Sequence, residues 1–104
     1  MPNGHDRNWV RFCAAVDGFR NRFGQWPSSV RLASKYVDDL RGILSDESFR
    51  VLEEKLVLRI DERAHFIAED EVGNKYDYRR EGSPQDWPQP SDEEWLGVHP
   101  EPAW

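Results

Sequence analysis

Trp9, Phe12, Val16, Phe19 and Phe23 recur at spacings of three, four, three and four, the signature of a helix that buries one stripe. A strand cannot use that spacing, because its side chains change face at every residue. Gly24 follows the last of them, where a helix end favours a residue tolerant of positive φ. Trp26-Pro27 then turns the chain out of helical geometry. The spacing predicts a helix over about 6–23, with Asp6 as its N-cap or first-turn acid.

An aromatic stripe of this kind needs a core to enter, and the chain has the means to build one. It has 104 residues, enough for one hydrophobic core and one domain. Only 38% of them are apolar, but these include five Trp, five Phe and three Tyr, which bury a large area each.

The periodicity predicts the partners of the first helix. Ser28 to Leu32 reads as a short strand with Val30 and Leu32 on one face. Ser34 is placed to cap a second helix carrying Tyr36, Val37, Leu40, Ile43 and Leu44. Ser45-Asp46-Glu47 starts a third, a cap followed by two first-turn acids, with Phe49, Leu52 and Leu56 inward. Over 56–61 the period switches to two, as in a half-buried strand. Asp61-Glu62-Arg63 reads as a turn and 64–70 as a further strand. Gly73 and Asn74 suit a hairpin loop, and 75–79, with Tyr76 and Tyr78 on one face, closes a three-stranded meander.

The expected fold class is α+β in two layers, in the order α-β-α-α-β-β-β. A mixed four-stranded sheet carries helices on one face. Pairing of 28–32 beside 56–61 makes the two intervening helices a crossover, normally right-handed.

From Gly82 the composition changes. Residues 82–104 hold five of the seven prolines, three of the five tryptophans, five acids and no Lys or Arg. The division expected is a compact domain over 1–81 and an acidic Trp/Pro-rich tail over 82–104, docked on the domain or on a partner. Within the tail, Ser91 and Glu94 have capping-box spacing and Gly97 can end a turn, so one helical turn presents Trp95 and Leu96.

Most of the net charge of −6 belongs to that tail, and bulk charge argues against general nucleic-acid affinity. No apolar run approaches the ~20 residues that span a bilayer, and the N-terminus lacks signal-peptide character. Cys13 is the single cysteine. These features predict a cytoplasmic protein without membrane attachment.

The sequence carries no catalytic or cofactor motif with the spacing such chemistry needs. His5, His65 and His99 are far apart, and no metal or cofactor site is expected. Asp70, Asn74 and Asp77 miss the calcium-loop spacing. Gly18, Gly24, Gly42 and Gly73 form no phosphate-binding loop. Glu53-Glu54-Lys55 has an acid-x-Lys form that metal nucleases place on a strand, with Asp38 or Asp39 as a second acid, but here it falls on a polar helix face. Cys13 reads as a buried thiol. His65 has no visible nucleophile to serve.

Two surfaces point to binding. Tryptophan is enriched at interface hot spots, so Trp87, Glu93, Glu94, Trp95, Leu96 and Trp104 are the expected partner contacts. Arg7, Arg11 and Arg22 form a basic face on the first helix, interrupted by Asp6 and Asp17. The functional expectation is a small non-catalytic protein-binding factor of accessory, inhibitor or immunity type, bacterial or phage in character, whose partner is another protein or a second copy. Nucleic-acid binding through the arginine face is the alternative, and a metal-dependent hydrolase using Glu53 or His65 ranks third.

Overall fold

The computed structural model describes residues 4–82 and 95–97, with side chains from residue 8 onward. Trp87, Glu93, Glu94 and Trp104, and the side chain of Arg7, lie outside the described residues.

Helix α1 (Gly4–Phe23) is followed by β1 (Ser29–Leu32), α2 (Ser34–Ile43), α3 (Asp46–Lys55), β2 (Val57–Ile60), β3 (Ile67–Glu69), β4 (Lys75–Asp77) and the short α4 (Tyr78–Glu81). The sheet order is β2-β1-β3-β4. β1 runs parallel to β2 and antiparallel to β3, and β3 pairs antiparallel with β4. This is the mixed four-stranded sheet with helices on one face, and α2 and α3 form the crossover from β1 to β2.

The aromatic stripe behaves as its spacing requires. Trp9, Phe12, Val16 and Phe19 are buried, and Phe23 packs against the core edge. The sheet answers with period two: Val30, Leu32, Ala68 and Tyr76 are buried on the helix side, and the register sets Val30 beside both Leu58 and Ala68. The opposite face carries Arg31, Arg59, Ile67, Glu69, Lys75 and Asp77. Gly24 closes α1 at φ +73°, with its N–H donating to the Arg20 carbonyl at 2.9 Å. Ser45 caps α3, accepting from the Ser48 N–H at 3.1 Å.

Several local expectations are corrected. The last three strands do not form a meander, because β1 lies between β2 and β3. The connecting segment crosses the end of β1 and bonds to it there. Asp61 N–H donates to Leu32 O at 2.9 Å, and Ala33 N–H donates to Ala64 O at 3.2 Å. Regular β3 pairing therefore begins only at Ile67, although Ala64 and Phe66 are already buried.

Residues 78–79 belong to α4, not to a strand. The Asp77 carboxylate accepts the Arg79 N–H at 2.9 Å, and Gly82 ends the turn at φ +73°. Ser34 is the first residue of α2 and does not cap it. The Glu62 carboxylate takes that place from outside, accepting the Ser34 N–H at 3.0 Å and the Ser34 hydroxyl at 2.7 Å. α1 begins at Gly4, so Asp6 lies within the helix.

Candidate partner-binding surface

The chemistry-bearing side chains are spread over the fold, and several of them are engaged in structural contacts. Cys13 is buried in the helix stripe. Glu53 and Asp38 are exposed, while Asp39 accepts a hydrogen bond from the Asn8 amide, tying α2 to α1. His65 lies in the segment before β3, its ring 5.5 Å from that of Tyr36. Burial, followed by the charges of Arg79, Lys35 and Arg11, holds its imidazole below the ordinary histidine value.

Asp70 organises its own loop. Its carboxylate accepts the N–H groups of Val72 and Asn74 and the side-chain amides of Asn74 and Gln25. Among the described residues no three His, Cys, Asp or Glu side chains gather to hold a metal ion.

The basic face of α1 is drawn into the domain where it is described. Arg22 forms an ion pair with Glu81, and its guanidinium lies 5.1 Å from the Tyr76 ring centroid. Arg11 donates to the Asn8 side chain at 3.3 Å. Asp17, expected to interrupt that surface, is fully buried instead.

Trp95 and Leu96 are helical, and Gly97 closes the turn at φ +70°. Leu96 is buried completely and belongs to the core. Trp95 is half-buried, stacked on Trp26 with centroids 4.5 Å apart and planes at 5°. Each ring also meets a cation, Arg20 at 5.4 Å from Trp26 and Lys55 at 5.4 Å from Trp95. Where described, the tail thus fastens to the junction of α1, β1 and α3, and part of the Trp95 ring remains exposed.

The surface that sequence reasoning missed is β2, one edge of the sheet. It is exposed over most of its length. Val57 on the open face is 58% exposed, and Ile60 on the helix face is 55% exposed. The period-two pattern over 56–61 was legible, and it sets Ile60 on the same face as Leu56 and Leu58. Leu56 is buried there and Leu58 partly so, whereas Ile60, the last residue of the strand, is left open.

The open face beside β2 is charged. Arg31 donates to Glu69 at 3.0 Å and to Asp61 at 3.5 Å, and Lys75 stands 3.7 Å from Glu69. Arg59 is the cross-strand neighbour of Arg31 and has no ion-pair partner among the described residues.

Comparison with protein-family models, curated proteins and solved structures finds no match in any of the three.

Proposed function

We propose that this chain is a small non-catalytic protein-binding factor, of the accessory, inhibitor or immunity type, whose partner is another protein. One observation carries the reading: an edge strand that exposes more than half of both Val57 and Ile60. Soluble monomers manage sheet edges by covering, shortening or charging them, and apolar side chains beside open backbone are the usual material of an interface. The partly buried Trp95 on its Trp26 platform supplies a second contact of the residue type favoured at such interfaces.

The test is site-specific photocrosslinking in cells that naturally contain the protein. Benzoylphenylalanine is placed at Val57, at Trp95 and, as a control on the remote β3–β4 loop, at Val72. The expected result is one discrete adduct from Val57 or Trp95 and none from Val72. The same diffuse background from all three positions refutes the reading.

A further inference from the structure

We propose that the free edge of β2 receives an extended segment of a partner protein as a fifth strand, with an acidic side chain set opposite Arg59. The proposal rests on the protein-binding reading above and specifies its chemistry.

The backbone comes first. Val57 N–H donates to Ser28 O at 3.1 Å and Asp61 N–H to Leu32 O at 2.9 Å. In a parallel ladder alternate residues of a strand face the same neighbour, so Arg59 also turns its N–H toward β1. Leu58 and Ile60 therefore direct their N–H and C=O groups to the other side. β2 has no neighbour there among the described residues. Two donors and two acceptors in register are what an added strand requires.

The side chains then select the occupant. Like charges directly across a sheet repel, and Arg59 stands beside Arg31. Arg31 is compensated by Glu69 and Asp61, and Glu62 is held by Ser34. Arg59 lacks such an acid among the described residues, and its outer side is where an added strand would place one. On the helix face, Leu58 and the exposed Ile60 ask for apolar residues on either side of that acid.

A second copy of the chain fits poorly. An antiparallel two-fold pairing that bonds Leu58 to Ile60 in both directions sets two Arg59 side chains against each other. Of the remaining two-fold registers, one centred on Leu58 needs the Leu56 N–H, which is already donated to Leu52 O at 3.0 Å. One centred on Ile60 needs Glu62 to continue the strand, whereas Glu62 lies in the turn that follows it. The charge that discourages self-pairing is the same one that would recognise an acidic strand.

The experiment uses the full chain and a blocked peptide, acetyl-Thr-Val-Asp-Val-Thr-amide, with a Lys-for-Asp version as its charge-reversed counterpart. Amide hydrogen exchange is followed at Leu58 and Ile60. The Asp peptide slows both amides about tenfold when nine-tenths of the protein is bound, the Lys peptide leaves them unchanged, and Arg59→Glu reverses the preference. Arg59→Gln, which removes the charge at an exposed position, abolishes the discrimination between the two peptides.

Unchanged exchange with millimolar Asp peptide overturns the proposal. So does protection that appears without peptide and rises with protein concentration, the mark of self-pairing. A discrete crosslink from Val57 or Trp95 together with unchanged exchange removes strand addition and leaves protein binding standing. Loss of the crosslinks removes protein binding itself.

Discussion

Gly18 sits in the middle of α1, where alanine is ordinarily the better helix former by about 1 kcal/mol. In this fold the substitution Gly18→Ala should destabilise. A Cβ at that position would stand 2.2 Å from Tyr76 Cζ, 2.3 Å from Cε1 and 2.7 Å from Cε2. Carbon atoms pack at about 3.5 Å or more, so the ring must withdraw by roughly 1 Å.

Tyr76 is not free to yield. It is 4% exposed, its hydroxyl donates to Gly82 O at 2.7 Å, and Arg22 lies over its ring. Overpacking of this kind costs about 1–3 kcal/mol, and loss of the hydroxyl bond adds about 1 kcal/mol. Against the helix-propensity gain, the net loss is about 1–3 kcal/mol.

Urea unfolding followed by tryptophan fluorescence measures it. The decisive comparison is a double-mutant cycle with Tyr76→Val, which removes the ring. In that background Gly18→Ala should become neutral or stabilising by up to about 1 kcal/mol. If Gly18→Ala alone leaves the urea midpoint unchanged or raises it, close packing of α1 on β4 is refuted.

The Leu96 contact predicts that Leu96→Ala lowers stability by about 2–5 kcal/mol, because the side chain is fully buried; an unchanged melting temperature would mean the turn does not enter the core. The His65 environment predicts a pH dependence with a definite sign. Unfolded His65 takes up its proton near pH ~6.5, and the folded imidazole does so only at lower pH. The unfolded chain holds more protons between those values, so this contribution to stability is lost as pH falls through that window. Nuclear magnetic resonance titration should give a His65 midpoint below that of a free histidine, moving upward in Arg79→Ala; an unshifted midpoint contradicts the burial and charge argument.

What the sequence revealed was local. The 3.6-residue stripe found α1 because every member of it faces one core. The Ser45 cap with its two acids found α3 because those groups satisfy backbone donors within a single turn. The position of β1 depends on distant bonds instead. Its pairing beside 56–61 is expected and found. Nothing in Ser29–Leu32, however, says that β3 will flank its other side, and a turn over 61–63 followed by a strand over 64–70 gives no hint of the bonds to Leu32 and Ala33. The fourth helix was legible in principle, since Asp77 and Gly82 are placed as cap and terminator, but the preceding strand pattern obscured it.

The binding surface divides in the same way. Tryptophan and acidic composition drew attention to Trp95 and Leu96, yet composition cannot tell an anchor seated in its own core from one reserved for another molecule. The β2 edge was overlooked because exposure of Ile60 depends on what packs over the end of the strand, not on the alternation in which Ile60 participates.

The central place of β1 also has a consequence for synthesis. The strand leaves the ribosome with neither neighbour yet made. Its parallel partner follows only at residues 57–60 and its antiparallel partner at 67–69. Leu96, which helps fill the core, emerges later still. Chains emerge from the N-terminus at about 5–20 residues per second, so for several seconds the nascent protein holds an unpaired inner strand behind the apolar face of α1. That interval is when a holding chaperone has most to bind, and it ends only when the last part of the core has been translated.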